Sequence, residues 1–294
     1  MAVTAPCIRR FSKVEGLGND FILVDLRERT SASLSRALEQ LETVARAWCD
    51  RRTGVGADGI LAITPAPAAD AGMVVFNADG SRPEMCGNGL RCAAAYVAGA
   101  WSPTPTAAPA PSVVIATDAG PRACLITEPP EPSRSILVDV DMAPATLLNL
   151  IEVESAPSHP LRVVSMGNPH AVHFTSDAED PEVLARSLGP AIERDPAFPA
   201  GTNVEFVRRE RDDAFRVWVW ERGCGITHAC GTGACAVAAA AVAGGLASFD
   251  RPLTMRLPGG DLRVTIPSDP NAGVRMCGPA RLVFEGDASA LPVP

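Results

Sequence analysis

The chain of 294 residues writes one short pattern twice, Cys-Gly-polar-Gly followed by an alanine-rich run, at 85–97 (MCGNGLRCAAAYV) and at 229–241 (ACGTGACAVAAAA). Other landmarks repeat in the same order. Gly18-Asn19 pairs with Gly167-Asn168 at an offset of 149, Gly80 with Gly223 at 143, and Cys86 with Cys230 at 144. Three landmarks in register point to a duplicated unit. An alanine-rich helix in each half, set among many short strands, predicts a sheet wrapped round a central helix.

Pattern and turn chemistry fill in the rest. Strands are predicted at 11–15 and 21–25 around Gly16-Leu17-Gly18-Asn19, and a helix at 33–49 from the spacing of Leu34, Leu38, Leu41, Ala45 and Trp48. Strands at 60–64 and 73–76 precede the first Cys-Gly helix at 87–98, and 101–112 reads as a proline-rich loop. Further strands are expected at 113–117, 122–127, 136–141, 161–165, 171–174, 204–208 and 215–220, with a short helix at 182–188. The second Cys-Gly helix, at 231–244, is followed by strands at 253–257, 262–266, 274–276 and 281–285.

Composition narrows the class of function. A net charge of −8 disfavours a nucleic-acid partner, which needs clustered Lys and Arg. No run is long enough for a membrane span and the N-terminal residues lack a secretory apolar region, so the expected location is the cytoplasm. Nine dispersed cysteines argue against a disulfide framework there. Lys13 is the only lysine, and it lies in neither a Schiff-base nor a Walker context. GVGADG at 54–59 matches the dinucleotide fingerprint, but a helix precedes it and a strand follows, the reverse of the required order. A metal is not expected: there is no C-x-x-C, and His170 and His173 would point to opposite faces of a strand. No G-x-S-x-G elbow is present either.

What is left is the pair of cysteines. A thiol at a helix start meets unpaired N–H groups and the positive dipole end, which lower its pKa toward the thiolate. Glycines beside it let a carboxylate approach the backbone. The chemistry this suggests is a small zwitterion held between helix starts with a thiol for each side of its α-carbon. Asn19, Asn77, Asn168 and Asn203 sit in turn contexts, and Glu221-Arg222 precedes the second cysteine loop. Together they would hold the carboxylate and ammonium groups of an amino acid.

Eight ordered blocks carry a resemblance to the diaminopimelate epimerase family: GLGNDF (16–21), GVGADG (54–59), FNADGS (76–81), MCGNGLRC (85–92), SMGNPH (165–170), GTNVEF (201–206), ERG (221–223) and ACGTGA (229–234). The resemblance implies an α+β fold of two pseudo-symmetric domains, each a mixed β-sheet or barrel wrapped round a central α-helix. Residues 1–140 with 274–294 would form the half carrying Cys86, and 141–273 the half carrying Cys230. It further implies cofactor-independent inversion at the α-carbon of LL- and meso-2,6-diaminopimelate, with Cys86 and Cys230 as the two bases. His170 and Glu221 match positions that set thiol protonation. Asn19, Asn77, Asn168, Asn203, Glu221 and Arg222 match positions that hold substrate, and Gly87, Asn88, Gly231 and Thr232 supply backbone N–H donors. The expected partner is therefore a small amino acid, and the sequence leaves room for a homodimer without specifying one. Departures stand at Ile226, where members commonly have Glu, at His228, and at Gly59, where some members carry glutamine. They motivate the alternative of a same-fold racemase acting on a different amino acid.

Overall fold

The computed structural model describes residue 8 and residues 10–101, 112–127, 135–156 and 158–288. The chain divides into two compact units, Met1–Val140 with Pro279–Pro294, and Asp141–Gly278. The interior of the proline-rich stretch expected to be a loop, 102–111, lies outside the described residues.

The first unit runs β1 (Arg10–Gly16), β2 (Asn19–Asp25), α1 (Ser31–Cys49), β3 (Gly59–Thr64), β4 (Ala71–Asn77), α2 (Gly87–Val97), β5 (Ser112–Thr117), β6 (Gly120–Ile126) and β7 (Ser135–Asp141). Consecutive strands are neighbours, and the last strand of the chain pairs with both β7 and β1, closing a ring of eight. Because both faces of this sheet are covered, β3 is apolar or small along its whole length rather than alternating. One face (Ile22, Val24, Ile60, Ala62, Val74, Phe76) packs on the apolar stripe of α1, which includes Ala37, Leu41, Val44, Ala45 and Trp48. The other face surrounds α2, which packs against β1 through β6 and is buried from Gly87 to Ala95. Small residues permit so close an enclosure.

The second unit contains β8 (Thr146–Ile151), β9 (Leu161–Ser165), β10 (Pro169–Phe174), α3 (Pro181–Glu193), β11 (Asn203–Arg211), β12 (Ala214–Glu221), β13 (Gly225–Ile226), α4 (Gly231–Ala243), β14 (Leu253–Leu257) and β15 (Gly260–Thr265); β16 (Arg275–Asp287) begins in it and belongs to the first unit from Pro279 on. Its pairing repeats that of the first unit: β9–β10 antiparallel, β10–β11 parallel, β11–β12 antiparallel, β12–β14 parallel, β14–β15 antiparallel. The corresponding series in the first unit is β1–β2, β2–β3, β3–β4, β4–β5 and β5–β6. Residues Gly233–Val242 of α4 are buried on every side, so this helix has no polar face and belongs inside its sheet.

Three expectations need correction. The helix at 182–188 extends to Glu193, because Gly189 is not a stop signal: a Cβ there would sit 2.6 Å from Trp220, and glycine lets α3 lie against β12. Its start is fixed by Pro181 at the first turn and by Asp180, which accepts from the N–H groups of Glu182 (2.8 Å) and Val183 (3.4 Å). The strands expected at 274–276 and 281–285 are one strand, β16, which continues through Gly278-Pro279. Strands β8 and β13 had no counterpart in the sequence reading; the five residues Thr146–Leu150 of β8 are all exposed, so it lacks the alternation that betrays a strand.

Candidate active site

In the first unit Cys86 is the residue that opens α2, with extended backbone (φ −137°, ψ 112°), and its carbonyl accepts from Leu90 N–H at 2.8 Å. Its Sγ lies 3.8 Å from Asn19 Oδ1, and the same oxygen accepts from Asn88 Nδ2 at 3.1 Å. Behind them is a buried cation. Arg91, with no exposed surface, donates to Asn88 Oδ1 (3.0 Å) and to the carbonyl of Pro279 (3.0 Å). On the solvent side Asn19 donates to Asp58 (2.8 Å), whose other oxygen receives Arg51 (2.8 Å). Arg51 also binds Asp20 at 2.7 Å, and Lys13 pairs with Asp20 and with the carbonyl of Gly56. The run 54–59 is therefore a scaffold for Asn19, lying between α1 and β3, and Asp58 occupies it as a hydrogen-bond acceptor. Asn77 ends β4, its amide donating to Ser81 Oγ at 2.9 Å.

In the second unit Cys230 opens α4 in similar backbone geometry (φ −115°, ψ 109°) and is 7% exposed. Its Sγ accepts from Gly233 N–H at 3.4 Å and lies 3.6 Å from Thr232 Oγ1. Glu221, at the end of β12, acts electrostatically on the thiol and receives the hydroxyl of Thr227. Burial pushes the Glu221 carboxyl above its ordinary value. The Cys230 thiol is also pushed well up, first by burial and then by the charges of Glu221 and Glu205. The lowered pKa expected from the helix start is overturned here, because desolvation and two carboxylates outweigh the Gly233 N–H and Thr232 hydroxyl that favour thiolate.

His170 and Glu205 form a pair with no exposed surface, Nδ1 to Oε1 at 2.6 Å. Parallel register between β10 and β11 creates it. The other ring nitrogen of His170 meets Asn168 Oδ1 at 3.1 Å, and Asn168 Nδ2 reaches Thr232 Oγ1 at 3.5 Å. A chain of contacts thus runs from Glu205 through His170, Asn168 and Thr232 to Cys230. Asn203 holds the backbone of Arg222 through its Oδ1 (2.9 Å) and donates to the carbonyl of Pro169 (3.1 Å). The Arg222 guanidinium donates to the carbonyl of Ala200 at 3.1 Å.

The two helix starts share a frame but not its chemistry. At Gly89 an added Cβ would meet Leu61 at 2.8 Å; at Gly233 it would meet Glu205 Oε1 at 2.8 Å. Leu61 and Glu205 are 144 residues apart, the same offset as the cysteines, so a leucine under one thiol is replaced by a carboxylate under the other. Sequence reading assigned no role to Glu205, Arg91, Asp58 or Thr227. The signal for Glu205 was present: one acid inside the apolar run Val204–Val207.

A family model described as diaminopimelate epimerase matches residues 11–148 and 162–283. A diaminopimelate epimerase from Microcystis aeruginosa is 42% identical, with 94% of this chain and 97% of that protein covered. One from Desulforudis audaxviator is 43% identical, with 94% and 98% covered. Among solved structures, a probable proline racemase from Agrobacterium radiobacter with bound carbonate superposes with a TM-score of 0.69 over 95% of this chain and 92% of that one. Its 18% identity makes that a likeness of fold.

Proposed function

The chain belongs to the diaminopimelate epimerase family, and on that premise we propose that it interconverts LL- and meso-2,6-diaminopimelate without a cofactor, in lysine and peptidoglycan-precursor biosynthesis. The observation that carries the reading is the repeated cysteine at a helix start in each unit, with Glu221 against one of them. Inversion needs a base for one face of the α-carbon and an acid for the other. In one direction a Cys86 thiolate takes the α-proton as the C–H bond breaks, and the Cys230 S–H gives its proton to the opposite face. In the other direction the roles exchange, and Glu221, with its raised carboxyl pKa, accepts the proton that makes Cys230 a base.

The barrier lies in building negative charge on the carbanion conjugated to the substrate carboxylate. The N–H groups of Gly87, Asn88, Gly231 and Thr232 would stabilise that charge, and one such donor is commonly worth about 3–4 kcal/mol. His170, oriented by Glu205, would tune the protonation of the thiols. Asn19, Asn77, Asn168, Asn203 and Arg222 would hold the substrate's charged groups. In this reading the two compact units are the two halves of one enzyme, each contributing one acid–base thiol. The enzyme would work in the cytoplasm on a small molecule; no helix among the described residues is long and apolar enough to cross a membrane. Analytical ultracentrifugation decides whether copies associate as a homodimer.

The test is turnover in deuterated water. The wild-type protein should place deuterium at the α-carbon of the product. Cys86→Ser and Cys230→Ser should each lose epimerisation, and full rate in both would remove the proposed roles. An amino-acid panel that includes diaminopimelate separates this reading from a same-fold racemase with a different substrate, to which Gly59 and Ile226 gave the motive.

A further inference from the structure

We propose a site for a divalent transition metal, of the zinc class, formed by His159, His173 and Glu179 in the second unit. His170 and His173 cannot share an ion, since register puts them on opposite faces of β10. On its own face His173 has other partners. It is 6% exposed, its Nδ1 lies 3.1 Å from the carbonyl of Pro160, and its Nε2 is buried without a hydrogen-bond partner. A proton on Nδ1 donated to that carbonyl leaves Nε2 with its lone pair, the form that ligates a metal.

The His159 ring stands 4.9 Å from that of His173, at 66°. His159 Nε2 is 3.1 Å from Glu179 Oε1, and one ligand atom from each of the three residues falls within 4.8 Å of the others. The second oxygen of Glu179 accepts from Ser176 N–H (2.9 Å) and Oγ (2.8 Å), which fixes the carboxylate and turns Oε1 toward the histidines. Two imidazoles and one carboxylate, with His173 and Glu179 each held by an outer partner, are a borderline-soft donor set that leaves a fourth tetrahedral position for water.

The site is separate from the thiols. His173 opposes Phe206, which packs in the core with Ala185 and Ile192 of α3, whereas the Glu205 side chain lies beside Gly233 of α4. Its ligands come from the turn before β9, from β10 and from the turn before α3. A bound ion would therefore tie two connecting segments to a central strand.

The test uses the full chain after chelator treatment, titrated with Zn²⁺ alone by calorimetry and with Co²⁺ by absorption. One equivalent should bind, raising Tm. Cobalt should show ligand-field bands without a thiolate charge-transfer band. His159→Ala and Glu179→Gln, each checked for native circular dichroism and retained epimerisation, should weaken binding by more than about 100-fold, beyond the loss common for outer partners. A Cys86→Ser/Cys230→Ser protein should bind as the wild type does. Absence of binding, binding that survives both ligand variants, or binding that disappears with the cysteines would each overturn the site. None of these outcomes depends on the substrate of the epimerase reaction.

Discussion

Cys230 and Glu221 oppose one another as anions. The carboxylate is among the groups holding the thiol in its protonated form, so removing its charge should make the thiol more acidic even as the catalyst is damaged. Glu221→Gln should lower the midpoint of Cys230 alkylation against pH by about one unit, read by mass spectrometry of the peptide that contains it. The same variant should lose about 100-fold or more in turnover, since a positioned acid–base group commonly supplies that much. A midpoint that rises or stays fixed would contradict the electrostatic account. At Gly59 the structure speaks to a departure noted in the sequence: a Cβ there would lie 2.5 Å from the carbonyl of Phe76, so a longer side chain requires the β3–β4 pair to shift. The cysteines, asparagines and Glu221 were legible because turn residues and glycines surround them. Arg91 and Glu205 were not, because their partners, Pro279 and His170, lie 188 and 35 residues away and meet them only through packing and strand register.

The two cysteine helices offer a controlled comparison. Gly89 and Gly233 occupy equivalent places, yet one approaches a leucine methyl group and the other the oxygen bound by His170. Gly89→Ala should be absorbed by a small movement of Leu61. Gly233→Ala must displace Glu205 from His170 and also crowds Cys230 Sγ at 3.2 Å; it should cost about 1–3 kcal/mol in chemical denaturation, with a larger loss of turnover than Gly89→Ala causes. Equal effects at both positions would mean that the carboxylate has no special standing. Helices α2 and α4 were visible in the sequence as alanine-rich runs, because a helix enclosed on all sides needs small residues throughout. The strand β8 was invisible for the opposite reason: Leu147, Leu148 and Leu150 are exposed, so no buried face imposes a period on them.

Over the whole molecule, β16 is the element that the order of the chain conceals. It begins beside β15 and finishes against β1, where Glu15 also receives Arg281 at 2.7 Å. A chain ending at Gly278 should lose the partner of β1 and the acceptor of Arg91, leaving the first unit incomplete and the second intact. Tryptophan fluorescence separates the two, since Trp48 and Trp101 report on the first unit and Trp218 and Trp220 on the second. The expected result is early loss of the Trp48 and Trp101 signal in denaturant, with that of Trp218 and Trp220 retained to near the wild-type midpoint. Local pattern predicts two strands where this one runs, because Gly278-Pro279 looks like a break to rules that cannot see a strand continuing past it. Synthesis on the ribosome proceeds from the N-terminus, so residues 10–141 emerge long before the strand that closes their ring. The half made first must therefore wait with an open seam until β16 has been made, and the half made second is the first that can finish folding.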